Sequence, residues 1–113
     1  MNDAAAPRVV YRIAQHNPPI EWDFWSDEAR GKGTFAADAE TQRLMTGRSV
    51  YRTEAQARRK ARGVPTLGQY IAEVYLPDEP TIHLERTLKS SGHHTLWGEP
   101  ALLLAAVVRI VPV

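Results

Sequence analysis

The chain has 113 residues, 43 % of them apolar, with 14 Lys and Arg, 13 Asp and Glu, and no cysteine. This length fits one domain with a single hydrophobic core, and the lack of cysteine excludes disulfides, thiol nucleophiles and thiolate metal sites. The longest apolar run, residues 101–108, is far short of the ~20 residues a membrane-spanning helix needs.

In chain order, residues 1–7 read as a disordered tail without the pattern of a signal peptide, which together with the missing cysteine points to a cytoplasmic protein. Residues 8–113 read as one compact domain. RVVYRI predicts a first strand, rich in β-branched and aromatic residues. Val9, Tyr11 and Ile13 share one face, Val10 and Arg12 the other. Asn17-Pro18-Pro19 stops the strand. A helix is expected over residues 19–30, with Trp22, Trp25 and Ala29 at helical spacing and Gly31 as its end; the pattern leaves open whether the tryptophans face a core or a partner. Residues 31–37 read as a mobile loop. Asp38 is positioned to cap a short helix closed by Gly47.

The most informative stretch is SVYRTEAQARRKARGVPTLGQYIAEVYLP, residues 49–77. Residues 49–52 predict a second strand. Thr53 is placed to cap the next helix, with Gln56 completing a capping box. Glu54 and Arg58 stand at the favourable i,i+4 spacing. Ala57 and Ala61 form a narrow stripe that would seat this helix close to a sheet, and Gly63 and Pro65 end it. Residues 69–76 alternate as a strand should. PDEP is a turn, residues 81–88 another strand, residues 89–100 a long loop with Gly and His, and residues 104–111 an apolar strand suited to a central position.

The sequence contains no metal-ligand spacing, nucleophile elbow or phosphate loop. Charge is uneven: Arg48, Arg52, Arg58, Arg59, Lys60 and Arg62 oppose only Glu54 within residues 48–62, while residues 73–85 are acidic without Lys or Arg. The basic helix is either a solvated face or a phosphate-meeting surface. Arg12 stands out within an apolar strand, where its planar five-donor fork either reaches solvent or lines a cleft. Glu99, in TLWGEP just ahead of the last strand, is the acidic candidate for the same cleft.

This order of elements resembles the small bacterial ADP-ribosyltransferase-like fold, including members that modify rifamycins, and more distantly the NAD-dependent RNA 2'-phosphotransferases. Arg12 matches the family's early basic residue, Tyr51-Arg52-Thr53 the aromatic–x–Ser/Thr step before an alanine-rich helix, and EPALLLAAVVRIVPV the closing acidic residue and final strand. The resemblance implies an α+β fold of two small antiparallel sheets around a cleft with short flanking helices. It further implies NAD as co-substrate and transfer of ADP-ribose to a protein, nucleic acid or small molecule. The residues implied to hold NAD are Arg12, Tyr51, Arg52, Tyr70 and His93. The implied catalytic set is Glu99, Tyr51 and Thr53. The paired Glu-x-Glu of the arginine-modifying branch is absent, and His93 or Tyr70 stands as its replacement. Two other classes remain open: a non-catalytic, antitoxin-like interaction protein on the same scaffold, and a nucleic-acid-binding module using residues 54–62.

Overall fold

Among the described residues there are six strands and three short α-helices, and all six strands join one antiparallel sheet. The computed structural model describes residues 8–32, 38–87 and 92–113; the expected tail at 1–7, most of the loop expected at 31–37, and residues 88–91 lie outside them. The strands are β1 (Val9–Ala14), β2 (Arg48–Tyr51), β3 (Tyr70–Tyr75), β4 (His83–Arg86), β5 (His93–Trp97) and β6 (Val107–Pro112), in the spatial order β4-β5-β2-β1-β3-β6. The helices are α1 (Ala39–Met45), α2 (Glu54–Gly63) and α3 (Pro100–Ala105).

The sheet is tightly paired except at its middle. All six residues of β1 run in register with β3, from Val9 opposite Tyr75 to Ala14 opposite Tyr70. All four of β2 run in register with β5. Between β1 and β2, by contrast, only Tyr11 and Tyr51 face one another. The two separate sheets expected from the sequence are therefore one sheet, made of two three-stranded halves joined by one residue pair. Arg12 bridges the gap next to that pair: its Nη1 donates to the Ser49 carbonyl at 2.8 Å and its Nε to the Asp23 carbonyl at 2.9 Å. A side chain here supplies the donors that backbone N–H groups supply elsewhere in a sheet.

Each face of the sheet has its own core. On one, Val10, Val50, Ala72, Val74 and Leu96 pack with Phe24 and with Leu103 of α3. On the other, Ile13, Tyr51 and Ile71 pack against Ala57 and Ala61 of α2. Both alanines are buried, as their stripe predicted, and their small size lets the α2 backbone lie close to the sheet. Thr53 caps α2, its Oγ1 accepting from the Gln56 N–H while the Gln56 side chain accepts from the Thr53 N–H. Arg58 holds Glu54 within the helix, and Arg109 joins Glu54 to Glu73, tying α2 to β3 and β6.

Four elements differ from expectation. The helix expected over 19–30 is only a 3₁₀ turn, Glu21–Phe24. The fully buried Asp23 carboxylate accepts from the backbone N–H groups of Gln15 and Ile20 and contacts His16 Nδ1, so these residues fold around the carboxylate rather than winding onward. Trp22 is half-buried beneath the Arg30 guanidinium, 3.8 Å from its ring centre, and Trp25 is exposed. The loop expected at 89–100 contains β5, a central strand. The apolar run expected to be one central strand is divided: Pro100 opens α3 at its first position, where its missing N–H costs nothing, and β6 follows as an edge strand.

Candidate functional site

Where β1 and β2 part, a cleft of about 590 Å³ opens between α2 and the turn at residues 27–32. Arg12 and Ile13 of β1, Ser49 and Tyr51 of β2 and His93 of β5 form its floor. Gln56, Arg59 and Lys60 of α2 line one side, and Asp27, Arg30 and Lys32 line the other. Register explains the grouping. Ser49 stands opposite Thr95 and Tyr51 opposite His93, so all four share one face, while Arg48, Val50, His94 and Leu96 face away.

His93 is the most constrained group of the floor. It is 8 % exposed, and its Nδ1 lies 3.0 Å from Thr87 Oγ1 and 3.3 Å from the Thr87 carbonyl oxygen. Its Nε2 lies 3.0 Å from Ser49 Oγ. A carbonyl only accepts, which places the proton on Nδ1 and leaves Nε2 to accept from the Ser49 hydroxyl. Burial lowers the His93 pKa below its ordinary value, the Thr87 backbone hydrogen bond opposes that, and His94 and Lys60 add to the lowering. His93 is therefore neutral near pH 7. Tyr51 stands edge-on to the imidazole, ring centres 5.5 Å apart, and burial raises its phenol pKa against the pull of Arg12.

Arg12 is buried, and its pKa is lowered to about 10, first by burial and then by Arg30 and Arg48. It stays charged at neutral pH. Among the described residues lining the cleft, Asp27 is the single carboxylate against Arg12, Arg30, Lys32, Arg59 and Lys60. The described lining of the cleft is thus net positive.

Of the residues singled out from sequence, Arg12, Tyr51 and His93 meet in this cleft. Thr53 and Arg52 do not line it: both are exposed, Thr53 serving as the cap of α2 and Arg52 donating its backbone N–H to Gly92. Tyr70 begins β3 away from the cleft, opposite Ala14 and Pro112. Glu99 is exposed at the start of α3, whose Leu103 packs on the core opposite α2, and it also does not line the cleft. Ser49, Asp27, Arg30 and Lys32 belong to the cleft without having been singled out. The alternation within SVY was the available signal for Ser49, since it lies two residues from Tyr51. The 27–32 turn gave none, because those residues read as the end of a helix.

No protein-family model, curated protein or solved structure matches the chain significantly. Among the described residues, no helix is long and apolar enough to cross a membrane.

Proposed function

We propose that the cleft binds NAD and serves the transfer of ADP-ribose to a protein, nucleic-acid or small-molecule acceptor. The observation that carries this reading is the meeting of Arg12, Tyr51 and His93, from three strands, where the sheet parts. The cleft's volume of about 590 Å³ lies within the ~300–1,000 Å³ common for small-molecule sites, and its cationic lining suits a pyrophosphate. When bound, NAD supplies a glycosidic bond to nicotinamide whose cleavage delivers ADP-ribose.

The chain's own residues divide the remaining tasks. Arg12, fixed by two backbone carbonyls, offers its remaining donors to phosphate oxygens. Arg59 and Lys60 add positive charge from α2, and Tyr51 gives an aromatic wall. His93 takes the proton-accepting role: its neutral Nε2 receives a proton from an acceptor through Ser49 Oγ. General-base catalysis of this kind contributes about 10²–10⁴-fold.

The test is a titration of the purified protein with NAD, followed by amide chemical shifts and nicotinamide release. Saturable shifts at Arg12, Tyr51 and His93 support the reading, with His93→Gln lowering turnover about 10²-fold or more and Glu99→Gln leaving it unchanged. A flat titration removes NAD from this cleft.

One observation favours a second reading, a non-catalytic module that holds a phosphate-bearing ligand. Asp27 is the only carboxylate among the described residues of the cleft, against five cations, so little negative charge stands there to steady a developing positive charge. NAD binding without nicotinamide release selects this reading. The nucleic-acid alternative loses support from the geometry of α2: Arg58 is held by Glu54 and Arg59 and Lys60 line the cleft, so the helix does not present its cations on one open face.

A further inference from the structure

The most buried arginines among the described residues lack the carboxylate partners that buried charges ordinarily have. Arg43, Arg58 and Arg109, nearer the surface, each hold at least one carboxylate. Arg12 and Arg48, only 9 % and 7 % exposed, hold none, and neither does the half-buried Arg30. Buried charges are ordinarily paired because desolvation without a counter-ion is costly.

Charge couples the three side chains although Arg48 lies on the other face of β2: after burial, Arg30 and Arg48 both lower the Arg12 pKa, and Arg30 lowers that of Arg48. Arg12 Nε and Arg30 Nη2 donate to the successive carbonyls of Asp23 and Trp22. Arg12 Nη1 donates to the carbonyl of Ser49, the residue after Arg48. Arg12 and Arg30 line the main cleft, and Arg48 lines an adjoining cavity of about 160 Å³ that shares Asp27, Ser49 and His93 with it. Each guanidinium has five N–H donors, yet hydrogen bonds occupy only two sites on Arg12 and one each on Arg30 and Arg48. The Nε groups of Arg30 and Arg48 are enclosed without an acceptor. Among the described residues, no carboxylate forms an ion pair with any of the three. Asp27 is the one carboxylate lining both cavities, and the buried Asp23 carboxylate, held by the Gln15 and Ile20 N–H groups and His16, also acts on Arg30, so three positive charges face two negative ones, neither of them in direct contact with a guanidinium.

We propose that Arg12, Arg30 and Arg48 form a phosphoryl-binding site that takes the phosphate of a small-molecule ligand. The unfilled guanidinium donors match phosphate oxygens, which the planar forks bind in pairs. The low pKa of Arg12 and Arg48, about 10 in each case chiefly through burial, agrees with cations that lack their counter-ion. The site does not rest on the transferase reading, since a phosphate monoester and the pyrophosphate of a dinucleotide share this chemistry.

The experiment titrates the full chain in parallel with inorganic phosphate, inorganic pyrophosphate and NAD, recording arginine Nε–Hε signals and calorimetric affinity. The expected result is saturable phosphate or pyrophosphate binding that shifts the Arg30 and Arg48 signals. Arg48→Gln and Arg30→Gln should each weaken it about tenfold or more, as expected for loss of a hydrogen bond to a charged group, while Arg62→Gln on the exposed end of α2 leaves it unchanged. Should Arg48→Gln fail to fold, the signal shifts of the unaltered chain decide. Signals that move only at Arg59, or no saturable binding of either anion, overturn the site. Phosphate binding with a flat NAD titration keeps the arginine site and removes the NAD reading, and NAD saturating the same signals assigns the phosphoryl group to a dinucleotide.

Discussion

Arg12 was legible in the sequence because a lone guanidinium in an otherwise apolar strand must find acceptors or solvent, and the structure gives it two carbonyls and a cleft. Glu99 shows the limit of the same reasoning: a carboxylate between Gly98 and Pro100 is placed by the turn it sits in, and that turn leads to α3 rather than to the cleft. His93 depends on long-range pairing, since its partners Ser49 and Thr87 come from either side of it in the chain. Its lowered pKa has a consequence for stability. The unfolded imidazole takes up a proton as pH falls through about 6.5, whereas the folded one does so only at lower pH. Between those values the unfolded chain binds more protons, so stability falls as pH drops below about 7. Urea midpoints measured from pH 7.5 downward should show that decline in the unaltered chain and a shallower one in His93→Gln; equal slopes would assign the decline to other groups. Thr53→Ala should cost about 0.5–2 kcal/mol from the lost cap, with phosphate or NAD affinity unchanged, because Thr53 lies outside the cleft.

At the scale of elements, α1 and α2 were readable from local chemistry: Asp38 and Thr53 accept from the backbone N–H three residues on, and that pattern needs no tertiary partner. β5 was hidden because HHTLW has little apolar content, and its place in the middle of a half-sheet comes from β2 and β4 on either side. The 100–112 stretch held a clue in its residue types, Pro then Leu and Ala for a helix, β-branched residues for a strand; uniform apolarity masked the boundary. Two substitutions test how closely these elements pack. Ala61→Leu forces a larger side chain between α2 and the sheet and should cost about 1–3 kcal/mol. Gly68 enters β3 with φ of 152°, and a Cβ there would collide with the Ala14 carbonyl of β1. Gly68→Ala should therefore lower the thermal midpoint by several degrees, about what a loss of 1 kcal/mol or more gives in a domain this size, and an unchanged midpoint would show that the β1 terminus yields.

Across the whole molecule, the α+β class and the presence of a cleft were legible, whereas the joining of the two halves into one sheet was not, because it depends on the single pair Tyr11–Tyr51. Amide exchange should resolve the strands into two groups, β4-β5-β2 and β1-β3-β6, each opening as a unit with its own free energy; a single uniform protection level would show the seam to be as strong as the ladders beside it. The chain's route sets how far that independence goes. It passes from one half to the other after β1, after β2, after β3 and after β5, so the halves are laced together by the backbone itself. One cut in any loop would leave at least one fragment holding strands from both halves, and no cut leaves a fragment that is one half alone. A nicked chain should therefore stay associated as a single body until it unfolds, and no truncation at a loop will release half of the sheet as a self-sufficient module.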